Sequence, residues 1–312
     1  MRWIWSSRVR RSCDRDGETG SLSGGEGQPD FICIGARKAG TSWLYHQLTA
    51  HPDFWMPPIK ELRYFDTLSR VERTNAPRCN DERDRLFLKE LNQLSTRPGL
   101  DLAGYAKLFV LKGELLSGDI SPSYSMLKDG LVEEVIAHFP NLKVIFLARD
   151  PVERAWSQLS FAARLQTISP FDPADPDEVA RCLLQPGFLL HSQLSKIVAR
   201  WRRYVRHDLL RVFFFDDLER DPGGLRRSIL KFLGADPDKP SGRLTADKKI
   251  NVGKDKPFLT AEVRSCLAHF FEGELKACAT ELGGPAKAWP ARYGFSVARP
   301  DLAEVGETAR HC

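Results

Sequence analysis

Phe31-Ile32-Cys33-Ile34-Gly35-Ala36-Arg37-Lys38-Ala39-Gly40-Thr41-Ser42-Trp43-Leu44 runs from an apolar segment through a small-residue loop into a helix. A continuous apolar run such as Phe31 to Ile34 is the pattern of a parallel strand buried on both faces, with Pro29 and Asp30 at its entry. Gly35 and Gly40 bracket the turn, where glycine lets the backbone come close to a ligand. Thr41 and Ser42 then fall at a helix N-terminus, whose unpaired N–H groups and positive dipole end favour phosphate. Arg37 and Lys38 add positive charge. The stretch predicts an anion cradle at the end of a buried strand.

The nearest general pattern is the P-loop, G-x-x-x-x-G-K-[ST], whose lysine follows the second glycine and reaches the β- and γ-phosphates of a triphosphate. Here Thr41 follows Gly40 directly, and Lys38 sits two residues before that glycine. A triphosphate would lose its main counter-charge. The loop suits a shorter group of the 5′-phosphate type.

Three more apolar runs end in polar turns further along: Leu115 to Ile120, Leu142 to Ala148 and Leu210 to Phe215. Between them lie helical patterns: Thr41 to Thr49, stopped by His51-Pro52; a segment capped by Asp129 and ending at His138; one opened by Pro151 and Glu153; a long basic helix over 187 to 206; Pro222 to Leu233; and Thr260 to Leu282. The charge-dense segment from Arg70 to Arg97 reads as exposed helix and surface loop. Strands alternating with helices predict a single α/β domain over 29 to 297, with a central parallel sheet flanked by helices. A flexible tail is expected over 1 to 28, rich in Arg, Gly and Ser, and a C-terminal tail over 298 to 312. In such sheets ligands bind beyond the carboxyl ends of the strands, so the turns at 35 to 42, 60 to 66, 119 to 124 and 149 to 157 are expected to converge on one crevice.

At 312 residues with a net charge of +5, a 42% hydrophobic and a 28% charged composition, the chain has a globular profile, and its mild basicity fits an anionic ligand better than a nucleic-acid surface. Seven cysteines without a C-x-x-C pair signal neither a zinc site nor a disulfide scaffold. No metal-ligating cluster is apparent. The run at Met1 to Ser6 is too short for a signal peptide or membrane span, and no later run approaches about 18 apolar residues. A cytoplasmic protein without a membrane span is expected, its oligomeric state open.

Three segments carry a resemblance. Arg37-Lys38-Ala39-Gly40-Thr41-Ser42-Trp43-Leu44 resembles the 5′-phosphosulfate loop of the sulfotransferases that use 3′-phosphoadenosine 5′-phosphosulfate. Leu147 to Ser157 is similar to their 3′-phosphate segment, which implies that Arg149 and Ser157 grip that phosphate. Lys60-Glu61-(three residues)-Phe65-Asp66 resembles the segment that supplies the catalytic carboxylate in heparan-type members. It implies Glu61 as general base with Lys60 beside it, where aryl-type relatives use histidine; His46 and His51 read as structural. The resemblance implies a P-loop-like sulfotransferase fold, in-line transfer to a saccharide or other small metabolite, and Lys38 at the leaving oxygen; with no metal-ligating cluster in the sequence, metal independence is expected.

Asp119-Ile120-Ser121-Pro122-Ser123-Tyr124 is similar to the family's acidic-lysine-[Ser/Thr]-Pro-x-Tyr turn, with Ile120 in place of the lysine; Ser121 and Tyr124, with Arg63, are candidates for acceptor contact. Lys248 to Lys254 resembles a carboxy-terminal loop that closes over the nucleotide, through Asn251 and Lys254. Two other readings stay open: a nucleoside-triphosphate-dependent kinase, which lacks its lysine after Gly40, and a nucleotide-binding module without turnover.

Overall fold

The computed structural model describes residues 27–66, 76–240, 244–248, 250 and 257–296. Each apolar run becomes a strand: β1 (Phe31–Gly35), β2 (Gly118–Ile120), β3 (Lys143–Ala148) and β4 (Leu210–Phe214). All pair in parallel in the order β2-β1-β3-β4. Ile32 faces Asp119 on one side and Val144 on the other, and Ala148 faces Phe214. The expected run at 115 to 120 is shorter as a strand, because Leu116 forms only an isolated bridge to Phe54.

The helices are α1 (Thr41–Thr49), α2 (Glu82–Ser95), α3 (Leu102–Lys107), α4 (Asp129–His138), α5 (Pro151–Arg164), α6 (Pro176–Leu183), α7 (Pro186–Leu189), α8 (Leu194–Arg202), α9 (Phe215–Arg220), α10 (Pro222–Leu233), α11 (Ala261–Phe270) and α12 (Glu272–Glu281). Their starts follow local chemistry. The side chains of Asp81, Asp101, Asp150, Asp175, Asp221 and Thr260 accept first-turn N–H groups of α2, α3, α5, α6, α10 and α11, with proline opening α5, α6 and α10.

Four expectations change. The helix over 187 to 206 is broken: Gln193 leaves helical geometry, the stripe Leu194, Ile197, Val198 and Trp201 is buried only from α8 onward, and Leu190 points to solvent at 45% exposure. Thr260 to Leu282 divides at the buried Phe271 into α11 and α12. Asp129 does not cap α4, since Lys128 holds that position; its carboxylate accepts from Arg203 Nη2 at 2.9 Å and pairs with Arg200 Nε at 3.3 Å. Within 70 to 97, α2 is not simply exposed, for Phe87, Leu91 and Leu94 are buried in the core.

Because β1 lies between β2 and β3, the chain leaves it first to one side and later returns to the other. The switch point falls between the carboxyl ends of β1 and β3. Both strands are buried along almost their whole length, so the loops that follow, Ala36–Gly40 and Arg149–Asp150, rest on a rigid floor.

Asp150 fixes the second of those loops. It accepts from Val152 N at 3.0 Å and from the Tyr293 hydroxyl at 3.0 Å, and burial pushes its carboxyl up to about 6. A carboxyl raised on folding contributes stability that is present below about pH 4 and lost as pH rises through about 6, by up to about 3 kcal/mol. Urea midpoints should therefore move in favour of Asp150→Asn, relative to wild type, across that window. A difference independent of pH would contradict the assignment.

Candidate active site

The loop after β1 depends on two glycines. Gly35 has φ 149°, and a Cβ there would stand 3.1 Å from Phe146 Cε2; Gly40 has φ 95°, and its Cβ would stand 3.0 Å from Leu218 Cδ2. Between them Lys38 takes φ 68°, a conformation costly for a side-chain-bearing residue. Gly40 precedes α1 with no side-chain cap and no acidic residue in the first turn, although Thr41, Trp43 and Leu44 behind it are buried. Backbone N–H groups at this N-terminus thus lack a side-chain cap, and the helix dipole there favours an anion.

Arg149, at the end of β3, crosses the switch point. Its Nη1 donates to the Lys38 carbonyl at 3.0 Å, its guanidinium lies 4.2 Å over the Phe215 ring, and Nη2 is 3.9 Å from Glu153. The two segments expected to bind phosphate are in direct contact. Lys38 Nζ sits 4.0 Å over the ring of Phe161, on the last turn of α5. Ser157, half-buried on the same helix, lies two turns beyond Arg149.

Across the loop, Lys60 Nζ donates to Glu61 Oε1 at 2.7 Å, with side chains only 10% and 22% exposed. This is a half-buried pair rather than a solvated one. Glu61 Oε2 has no hydrogen bond among the described residues. Glu61 and Arg63 both have positive φ, 64° and 55°, and Arg63 Nε pairs with Asp66 at 3.1 Å. Burial lowers the Arg37 pKa, partly offset by the charge of Glu61.

Sequence reading gave no role to Arg154 or His191. Arg154 is fully buried, its Nη1 donating to Gln158 Oε1 at 2.5 Å and its Nη2 to Ser192 Oγ, while Nε has no hydrogen-bond partner among the described residues. Burial, with Arg149 and Arg37 adding to it, pulls its pKa down to about 9. His191 is pulled down to about 3 by burial and then by Arg37, Arg154 and Arg63, which keeps the imidazole neutral. Glu61, Asp66 and Glu153 are engaged in ion pairs, whereas Arg37 and Arg154 have no carboxylate at salt-bridge distance among the described residues. An unpaired buried arginine is costly unless an anion joins it. Its sequence signal was only an arginine on the inward face of α5.

Other expected residues take supporting positions. Trp43, 4% exposed, donates from Nε1 to Ala246 O at 2.8 Å, and Gln47 Nε2 donates to Thr245 O at 3.0 Å. Trp156 Nε1 donates to Pro257 O at 3.3 Å. Both flanks of the basic loop are thereby tied to α1 and α5, while Asn251 and Lys254 lie outside the described residues, as do 298 to 312 and all but the end of 1 to 28. Ser121 and Tyr124, candidates for acceptor contact, are fully buried with their hydroxyls on Asp119. His51 Nε2 lies 2.9 Å from Asp236 O, and its Nδ1 accepts from Asp53 N, which is a structural role.

Among the described residues no group of three His, Cys, Asp or Glu side chains could hold a metal ion, and no helix is long and apolar enough to cross a membrane. Cys33, Cys79, Cys182, Cys266 and Cys278 form no disulfide.

A parallel sheet with a switch point, an uncapped helix N-terminus beside it, and arginines with no carboxylate at salt-bridge distance among the described residues define an α/β protein with a site suited to an anion. The chain belongs to the sulfotransferase family, which it matches over residues 29–239. It is 28% identical to the membrane-associated sulfotransferase kil1 of Dictyostelium discoideum over 136 residues, 43% of this chain and 23% of that protein. It is 23% identical to the bifunctional heparan sulfate N-deacetylase/N-sulfotransferase 2 of Bos taurus over 92% of this chain and 32% of that protein. The chain thus spans a quarter to a third of the length of these relatives. A crystal structure of a sulfotransferase from Alicyclobacillus acidocaldarius shares the fold, with a TM-score of 0.59, 23% identity, and coverage of 84% of this chain and 98% of that one.

Proposed function

We propose that the chain moves the sulfuryl group of 3′-phosphoadenosine 5′-phosphosulfate to a hydroxyl or amine of a saccharide or other small acceptor, with Glu61 as the base. The observation that carries this reading is the contact of Arg149 Nη1 with the Lys38 carbonyl. It joins a loop fitted to one phosphate with an arginine fitted to a second, and so favours a donor with two separated anionic groups. The unpaired Nε of buried Arg154 behind Arg149 fits the same need for negative charge.

The α1 N-terminus, with Ala39, Gly40, Thr41, Ser42 and Trp43, would hold the 5′-phosphate, with Arg37 and Lys38 supplying charge. Arg149 and Ser157 would hold the 3′-phosphate, and Asn251 and Lys254 would close over the nucleotide. The bound donor supplies an activated sulfuryl group. Glu61 takes the proton from the acceptor oxygen or nitrogen as that atom bonds to sulfur, and the bond from sulfur to the bridging oxygen breaks with its electron pair on 3′,5′-bisphosphoadenosine. Lys38 neutralises charge developing on that leaving group, an electrostatic contribution that grows toward the transition state. Lys60 holds one Glu61 oxygen and leaves the other to the acceptor. Arg63, beside Glu61, would meet the acceptor.

Parallel calorimetric titrations with 3′,5′-bisphosphoadenosine and with ATP and magnesium test the reading. Binding of the bisphosphate at least tenfold tighter, about 1.4 kcal/mol, is expected. Tight ATP binding with indifference to the bisphosphate would overturn it in favour of a kinase.

A further inference from the structure

Glu61 and Arg63 hold left-handed backbone conformations that side-chain-bearing residues adopt only at a cost. Such conformations persist only where surrounding contacts impose them. Beneath this segment lies one carboxylate. Asp119, on β2 and 1% exposed, accepts the Ser121 hydroxyl at 2.7 Å and, weakly, Leu62 N at 3.4 Å on Oδ1, and the hydroxyls of Tyr124 at 2.6 Å and Tyr105 at 3.2 Å on Oδ2. The two hydroxyls nearest the segment then accept from it, Ser121 Oγ from Arg63 N at 3.0 Å and the Tyr124 hydroxyl from Tyr64 N at 3.0 Å. Glu61 N itself donates to Ile120 O at 3.2 Å, next along β2.

We propose that Asp119 is a positioning residue for sulfuryl transfer, holding Glu61 and Arg63 in place by anchoring the successive N–H groups of Leu62, Arg63 and Tyr64. The inference rests on the reading of Glu61 as the base. Each hydroxyl in the network has one proton, and that proton is drawn to Asp119. Its lone pairs are thereby turned to the backbone N–H groups. Only a group that accepts on both oxygens orients Ser121 and Tyr124 together. An asparagine would present a donor to one pair of partners, so at least one anchor must turn away. β2 is a single short strand, yet through Asp119 it fixes a segment more than fifty residues earlier in the chain. Ser121 and Tyr124 accordingly serve the site from below.

The test uses the full chain and needs no identified acceptor, because turnover is read as 3′,5′-bisphosphoadenosine released from the labelled donor with water as acceptor. Asp119→Asn and Tyr124→Phe are each expected to lower turnover by about 10–100-fold, the scale of a misplaced catalytic group. The Kd for 3′,5′-bisphosphoadenosine should stay within about twofold, since Lys38 and Arg149 keep their own supports. Amide hydrogen exchange at Leu62, Arg63 and Tyr64 should speed up in both variants. The deciding measurement is a cycle with Glu61→Gln: in that background Asp119→Asn should cost almost nothing. An undiminished effect there would overturn the proposal, as would parallel losses of turnover and bisphosphate affinity. A fully active Glu61→Gln single variant would instead remove the base itself, and the two failures are read from different enzymes. If Asp119→Asn does not fold, Tyr124→Phe carries the same cycle.

Discussion

Glu61→Gln is expected to lower donor turnover by roughly 10²–10⁴-fold while leaving the Kd for 3′,5′-bisphosphoadenosine within about twofold. The reason is geometric. Glu61 lies on the β2 side of the sheet, tied to Ile120 through its own N–H, whereas the groups proposed to hold the phosphates lie at the ends of β1 and β3. Glutamine keeps the size of the side chain and can still accept from Lys60 Nζ, but it cannot take a proton from an acceptor. The turnover of the variant and a calorimetric titration on the same preparation check this. Full turnover in Glu61→Gln would assign the proton to another group, and neutral His191 would be the next residue to replace.

Arg149→Ala should weaken 3′,5′-bisphosphoadenosine by roughly 10²-fold or more, the scale for removing one partner of a desolvated charge pair. Adenosine 5′-phosphate, which lacks the second phosphate, should lose far less. The comparison is sharp because Arg149 also donates to the Lys38 carbonyl. If its contribution came only from bracing the loop, both nucleotides would lose affinity equally, and a 3′-phosphate site at Arg149 would be ruled out. Arg149→Lys tests the planar fork: one ammonium cannot reach both the Lys38 carbonyl and a phosphate with parallel donors, so only partial recovery is expected.

Much of this arrangement is legible in the chain because its causes are local. Phe31 to Ile34 and Leu142 to Ala148 read as buried strands because they are near-continuous apolar runs, and both are buried apart from the half-buried Lys143. Gly40 read as a loop residue and has the positive φ that glycine adopts most easily. Pro222 to Leu233 was delimited by proline at its first residue, and Gly234 follows in the left-handed conformation. Where the causes are distant, the sequence misleads. Periodicity joined 187 to 206 into one helix because Leu190 fits the apolar stripe. The break at Gln193 arises where Arg154, from α5, bonds Ser192.

The sequence by itself determined the sheet and the glycine-bracketed loop on its first strand. These follow from neighbours within a few residues. Only the tertiary structure decided that Arg149 touches the Lys38 carbonyl, that Arg154 is buried with no carboxylate at salt-bridge distance among the described residues, and that the hydroxyls of Ser121 and Tyr124 accept from the backbone N–H groups of Arg63 and Tyr64. The order β2-β1-β3-β4 is the physical reason. It sets Asp119 and Val144 on opposite sides of Ile32, and so brings residues separated by more than a hundred positions into one crevice.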